Sequence, residues 1–132
     1  MILNHSKICI NPPKGIELGG FGYYIERRNE GIMDDIYVRA LFLKHDNLSY
    51  LIISCDLVGL LPTIVEQVKK RISGITSIPM DAILILCTHT HTSPACTFTI
   101  GCGEVDPGYV DMLIEKMVKA GTAAVDGGKE VK

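Results

Sequence analysis

From Asp35 onward two sets of residues alternate along the chain, and because they are rich in β-branched and aromatic types they predict a β-strand. One set is Ile36, Val38, Ala40 and Phe42, and the other is Tyr37, Arg39, Leu41 and Leu43. Turn-forming residues at 45–49 separate this strand from a nearly continuous apolar run over 50–55. We therefore expect a β-hairpin whose second strand is buried on both faces.

A helix and another apolar strand should follow this hairpin. Pro62 suits the first turn of a helix, and Gly74 is expected to close it. Apolar residues between them repeat at helical spacing: Ile64, Val65, Val68 and Ile72. Residues 82–87 are again apolar throughout, so the helix should join two parallel strands as a βαβ unit.

A second helix is predicted near the end of the chain. Asp106 should cap it, Pro107 lies near its first position, and Gly127-Gly128 should end it. Its apolar stripe consists of Val110, Leu113, Ile114, Met117, Val118 and Gly121. The pattern predicts an α/β fold: a mixed β-sheet with a β-hairpin, then a βαβ unit and a C-terminal helix. Because such a helix normally feeds another strand, we expect the front part of a larger α/β domain.

Residues 1–34 are rich in turn formers and predict an irregular Gly/Pro-rich lead-in to a single domain spanning 1–132. The breakers are Pro12, Pro13, Gly15, Gly19, Gly20, Gly22 and Gly31. These glycines allow the backbone to come close to something else. Two alternatives stay open here: contact with a ligand, or close packing within the protein.

Composition narrows the classes of protein. The chain has 132 residues, 47% of them hydrophobic, which is enough for a core and excludes a disordered protein. A net charge of -2 without a basic run argues against nucleic-acid binding, and no apolar stretch approaches a transmembrane length. Five cysteines without a CxxC pair, and no secretory signal at the start, predict free thiols and a cytoplasmic location.

One segment calls for a chemical explanation: Thr88-His89-Thr90-His91-Thr92-Ser93-Pro94. It leaves the carboxyl end of a parallel strand, where open α/β sheets bind ligands. In an extended backbone alternate residues face the same side, so His89 and His91 should project together. Two such imidazoles can share a zinc ion, or one can bind the ion while the other donates a hydrogen bond to substrate. The neighbouring hydroxyls can hold the imidazole tautomers.

Asp56 ends the preceding strand and should emerge at the same edge of the sheet as His89. Its carboxylate would hold an imidazole proton or complete a metal shell. The alternative is that Asp56 caps a loop and that the histidines bond to the backbone. Because two histidines and an aspartate occur together at adjacent strand ends, we prefer the metal hypothesis.

Two cysteines close to this segment allow further chemistry. Cys96 and Cys102 suggest a Cys/His zinc knot, although their spacing matches no common structural zinc pattern. A thiol activated by an imidazole is another alternative, and the sequence singles out no cysteine for it.

The ordered motifs resemble those of the neutral/alkaline (non-lysosomal) ceramidase family, over about residues 8–125. Thr88-His89-Thr90-His91 and Pro94 match that family's THTHSGP signature, with Thr92-Ser93 standing where Ser-Gly is usual. The other landmarks, similar to the family's GY, GI, YARA and S-x-D-L motifs, are Gly22-Tyr23, Gly31-Ile32, Tyr37-Val38-Arg39-Ala40 and Ser54-Cys55-Asp56-Leu57.

The resemblance implies zinc-dependent hydrolysis of an amide bond, with the ion acting as a Lewis acid that activates water. It implies that His89 is a zinc ligand and that His91 lies beside the substrate and orients it. Asp56 joins His91 as a catalytic candidate because of its place at the neighbouring strand end. Substrate contacts would come from Gly22, Tyr23, Thr92 and Ser93. The remaining ligands in that family, a histidine, a glutamate and a tyrosine, come from later sequence.

Three hypotheses follow. The first is the N-terminal part of a zinc-dependent, ceramidase-like amidohydrolase, incomplete alone, acting on a small amide or lipid-like substrate. The second is a non-catalytic α/β binding module with structural histidines. The third adds that the chain forms a homo-oligomer that covers its sheet edge and apolar surface.

Overall fold

The computed structural model describes residues 1–23, 26–127 and 129–130 of the chain. Within them the strands are β1 (Ile2–Cys9), β2 (Tyr37–His45), β3 (Leu48–Cys55), β4 (Ile83–Cys87) and β5 (Lys129–Glu130). The helices are α1 (Pro62–Thr76) and α2 (Pro107–Asp126), and a 3-10 turn (Met80–Ala82) precedes β4. The predicted hairpin, helix, strand and final helix are therefore all confirmed. Gly128, part of the predicted end of α2, lies outside the described residues.

The described strands form one mixed sheet in the order β4-β3-β2-β1-β5. β2 and β3 pair antiparallel as the expected hairpin, with Val38 opposite Cys55. β3 and β4 pair parallel, with Cys55 opposite Cys87, as the βαβ unit requires. This pairing brings the ends of β3 and β4 side by side, and it is the feature of the fold that builds the site.

The two helices pack on one face of the sheet. α2 crosses β1, β2 and β3, and α1 packs beside α2. Gly121 lies where they meet, because a Cβ there would come within 2.6 Å of Ile72 Cδ1 and 3.3 Å of Leu51 Cδ2. The core between these layers is fully apolar, and its largest members include Leu51, Ile53, Ile72, Leu113 and Met117.

The opposite face of the sheet carries exposed apolar side chains. Leu84 and Leu86 on β4 and Tyr50 on β3 alternate with buried residues, and Leu84 is 54% exposed. No described helix covers this face. Nor is any helix in the described ranges long and apolar enough to cross a lipid bilayer.

The prediction of an irregular segment over 1–34 is wrong for its first part, because residues 2–9 form β1. The strand pairs antiparallel with β2 along its whole length. The alternation is hidden in the sequence because Asn4 and Ser6 face the helices. They donate to α2 carbonyls instead of packing: Asn4 Nδ2 to Ala124 O at 2.8 Å and Ser6 Oγ to Ala120 O at 2.7 Å.

Helix ends follow capping chemistry. Asp106 caps α2 as predicted, its Oδ1 accepting from Tyr109 N at 2.7 Å. The predicted end of α1 at Gly74 is wrong by two residues. The helix continues to Thr76 and stops at Ser77, which takes a left-handed conformation (φ 61°) and donates its N–H to Ser73 O.

Candidate functional site

His89 and His91 lie together just beyond the end of β4, at the carboxyl edge of the parallel pair. Their ring centroids are 4.9 Å apart, and the rings meet edge to face at 66°. The predicted juxtaposition is therefore confirmed, but the predicted extended backbone is wrong. His89 has φ 63°, and the chain begins a turn at His91. This left-handed residue, rather than strand alternation, brings the second ring back to the first.

The tautomer of His89 is set by the backbone. Its Nδ1 lies 2.8 Å from Val58 O, and a carbonyl oxygen can only accept, so Nδ1 carries the proton. The backbone holds the residue further, since His89 N donates to Leu57 O and Thr88 N to Cys55 O, both at 3.0 Å. Nε2 is therefore left unprotonated in the neutral ring, which is the form that binds metals.

A cavity of about 260 Å³ holds both imidazoles on its wall. The Gly19–Gly22 segment forms part of the wall, and the rest of the wall is formed by Val58 and the Thr97–Cys102 loop. Phe21 meets His91 edge to face, with centroids 5.0 Å apart. The site thus combines two imidazoles, an aromatic ring and small polar groups.

Gly20 decides between the two explanations of the glycine cluster. It has φ +87°, and a Cβ there would lie 2.6 Å from His91 Cγ. Close packing is therefore established at this position, and what it packs against is the candidate catalytic ring itself. Gly19 is similarly tight, with Val58 Cγ1 at 2.9 Å from a Cβ placed there.

Asp56 does not reach the histidines through its hydrogen bonds. Its carboxylate accepts from Tyr37 N at 2.9 Å and from Arg39 Nη1 at 2.8 and 2.7 Å. The expectation that Asp56 holds an imidazole proton is therefore wrong, because Val58 O has that place at His89. These contacts are those of the alternative hypothesis, in which Asp56 ties the strand end and a histidine bonds to the backbone.

The four predicted substrate residues separate in the structure. Gly22 lines the cavity, whereas Tyr23 does not and is 92% exposed. Thr92 lies on the other side of the segment, lining a second cavity of about 640 Å³ together with Thr88, Thr90 and Asp56.

The predicted substrate contact of Ser93 is not supported by its place in the structure, because this residue is fully buried. Its Oγ accepts from Val58 N at 3.2 Å and donates to Thr90 O at 3.1 Å. The side chain therefore braces the histidine segment from beneath.

The cysteines differ sharply in environment. Burial raises the pKa of the Cys96 thiol to about 12 and raises the pKa of the Cys55 and Cys87 thiols as well, so all three are poor nucleophiles at neutral pH. Cys102 alone among the described cysteines lines the cavity of the histidines. In the described part of the chain no three His, Cys, Asp or Glu residues are grouped so that they could hold a metal ion, which leaves the Cys/His zinc knot without support.

Two contributors to the site escaped the sequence analysis. Val58 acts through its backbone carbonyl, and because every residue has one, the residue type at position 58 gives no indication of this role. Arg27 donates from Nη2 to the carbonyls of both Gly19 and His91. Nothing in the sequence distinguishes it from the adjacent Arg28, which instead pairs with the buried carboxylate of Glu17.

Comparison with known proteins gives a likeness in fold. No protein-family model matches the sequence, and no curated protein matches it significantly. Among solved structures, neutral ceramidase from Pseudomonas aeruginosa matches with a TM-score of 0.81 at 16% identity, covering 97% of this chain and 22% of that one. A ceramidase complexed with C2 matches equally well, at a TM-score of 0.81 and 16% identity, over 97% of this chain and 21% of that one.

The chain thus spans about a fifth of the length of the ceramidases it resembles. Nearly all of this chain takes part in the superposition. The predicted resemblance to the neutral ceramidases is therefore confirmed in the fold of the chain.

Proposed function

We propose that this chain carries part of the active site of a zinc-dependent, ceramidase-like hydrolase that cleaves an amide bond. His89 would be a zinc ligand and His91 would orient the substrate. The observation that carries the proposal is the hydrogen bond from His89 Nδ1 to Val58 O. It fixes the tautomer in which Nε2 can coordinate a metal, in a cavity that His91 shares.

The donor set fits a share of a zinc site. A neutral imidazole held by a backbone carbonyl is a typical zinc ligand, and zinc in catalytic sites takes three protein ligands. The described residues hold no group of three that could bind a metal. Further ligands would therefore have to join His89, and the family resemblance implies another histidine, a glutamate and a tyrosine for that part.

The residues of this chain would prepare the substrate. When bound, zinc supplies Lewis-acid activation of water and of the amide carbonyl. The His91 ring, packed between Gly20 and Phe21, would donate a hydrogen bond to substrate from a fixed position. Phe21 would exclude water from one side of that bond. Asp56 takes no step here, because Arg39 and Tyr37 engage both of its oxygens.

The substrate is proposed to be a lipid-like amide. Two solved structures that share the fold are ceramidases, and the cavity is lined by Phe21, an exposed aromatic residue close in the chain to the exposed Tyr23. An acyl chain would lie against such groups and lose contact with water. The cytoplasmic location stays a prediction.

A non-catalytic binding module is the second candidate. The bonds of Asp56 to Arg39 and of His89 to Val58 O are those this hypothesis predicts for structural residues. It would use the same cavity to hold a ligand without metal. Metal content separates the two candidates, because only the first requires zinc.

The test is metal-dependent hydrolysis by the protein expressed from its complete reading frame. We expect release of fatty acid from an N-acyl amide, loss of this activity with a chelator, and recovery with zinc. His89→Ala should abolish activity and lower bound zinc while the protein stays folded. The control is His45→Ala, on the exposed β2–β3 turn beside Asp46. Unchanged hydrolysis in His89→Ala would exclude the proposal.

Self-association is a separate proposal, supported by the exposed Leu84 and Leu86 on the edge strand β4. A Leu84→Lys variant should then elute later than the unmodified chain in size-exclusion chromatography. Identical monomeric elution of both would contradict it.

A further inference from the structure

Arg27 joins the two segments that form the cavity. Its Nη2 donates to Gly19 O at 2.8 Å and to His91 O at 2.6 Å. One nitrogen thus holds the glycine-rich segment and the histidine segment together. Both bonds are charge-assisted, which makes them stronger than bonds between neutral groups.

The surroundings of Arg27 are energetically unfavourable for a charged side chain. Its Nε is buried and has no partner among the described residues. The other arginines, Arg28, Arg39 and Arg71, pair with carboxylates, whereas no described ion pair involves Arg27. Arg27 is only partly buried, but desolvation of its inner nitrogens is costly without a counter-charge, so its two carbonyl bonds must compensate for that cost.

The same guanidinium supports the ring of His91 indirectly. Its Cζ lies 5.0 Å from the centroid of Phe21, a cation–π distance, and Phe21 in turn meets His91 edge to face. Gly20 leaves room for His91 from below. Arg27 therefore contacts the backbone of His91 directly, and it contacts the His91 ring through Phe21.

We propose that Arg27 is a positioning residue for His91. It fixes the carbonyl of His91 against Gly19 and holds Phe21 against the ring, so that the imidazole keeps one orientation beside His89. Its relevance to catalysis rests on the proposed function, but the positioning itself does not need metal or substrate.

The test compares ring contacts by NMR in the metal-free protein. In the unmodified chain we expect nuclear Overhauser contacts between the rings of Phe21 and His91 and between those of His91 and His89. Arg27→Met should lose both, since methionine has no donor. Arg27→Lys should restore them in part, because lysine keeps the charge but not the planar fork.

The matched control is Arg71→Met, which removes the same side chain from the surface pair with Glu115. It should leave all ring contacts in place. A folded Arg27→Met protein that keeps both contacts would overturn the proposal, even if its melting temperature falls.

A second measurement uses the unmodified chain and so does not depend on a variant folding. The guanidinium protons of Arg27 should exchange with solvent more slowly than those of Arg71, and equal rates would overturn the proposal. Hydrolysis is scored separately. Lost ring contacts in Arg27→Met, together with no hydrolysis by the unmodified protein, support positioning and exclude the proposed enzyme. Hydrolysis with an unchanged kcat in an Arg27→Met protein that has lost the ring contacts overturns the relevance of this positioning to catalysis and leaves the enzyme standing.

Discussion

The ends of β3 and β4 are neighbours in one sheet, yet they differ in how far hydrogen bonds already occupy their polar side chains. At the end of β3, both carboxylate oxygens of Asp56 are engaged by Arg39 and Tyr37 N. At the end of β4, His89 uses Nδ1 on Val58 O, which in the neutral ring leaves the lone pair of Nε2 available. The comparison teaches that proximity to a site at a sheet edge does not make a group reactive. What matters is whether the fold has already used its hydrogen-bonding capacity.

The largest expected effect is a difference in stability between variants at these two strand ends. Asp56→Ala should lower the free energy of unfolding by about 3 kcal/mol, because it leaves Arg39 and a backbone N–H without their acceptor. His89→Ala should cost less than about 1 kcal/mol, since its ring is exposed and makes one bond to a carbonyl. Urea unfolding of both variants measures the difference.

Equal losses in the two variants would contradict the distinction. The Asp56 figure sits at the low end for a broken pair because Arg39 is 46% exposed and so partly solvated.

A smaller effect is expected at the glycine beneath His91. Gly20→Ala should cost about 2 kcal/mol, because alanine at φ +87° is strained and its Cβ meets the His91 ring. Gly22→Ala is the matched control in the same segment, since its Cβ would meet only Cys102 Sγ at an ordinary 3.7 Å. Urea unfolding of the pair should show the loss for Gly20 alone, and similar values for both would refute the close packing.

The thiols beneath these strand ends give an effect that is absent at neutral pH and grows only in alkaline solution. Burial raises the pKa of Cys55 and Cys96 above the value of an unfolded thiol, about 8.5. Below that pH both states keep the proton and stability does not change. Above it the unfolded chain loses protons that the folded chain retains, so stability should fall by up to about 1.4 kcal/mol per pH unit for each thiol.

Urea unfolding at several pH values from about 8 to about 10.5 measures this slope. The upper limit lies about 2 units above the pKa of an ordinary thiol. Cys96→Ala should reduce the slope, because one of the linked thiols is gone. A slope that stays the same in the variant would contradict the assignment.

Much of the fold was predictable because its elements carry uninterrupted patterns. β2, β3, β4 and both helices follow from alternation, apolar runs and helical spacing. β1 was not, since Asn4 and Ser6 occupy inward positions and are satisfied only by carbonyls of α2, more than 110 residues away in the chain. Such long-range satisfaction of polar groups has no local signature.

The sequence predicted that the two histidines lie together in the site, but not which groups they contact. The His-Thr-His spacing and the strand end placed both imidazoles together, and that is confirmed. The partner of His89 is a backbone carbonyl at Val58, which any residue type would supply. Arg27 lies 64 positions from His91, and only the folded chain shows their bond.

The central claim is that His89 is held as the Nδ1–H tautomer with Nε2 available to a metal. Long-range ¹H–¹⁵N NMR of the imidazoles in the metal-free protein at neutral pH tests it most directly. The account predicts a protonated Nδ1 and an unprotonated Nε2 at His89, with the same pattern in Asp56→Asn, because Asp56 plays no part in it. A proton on Nε2 of His89, or a change of tautomer in Asp56→Asn, would contradict it.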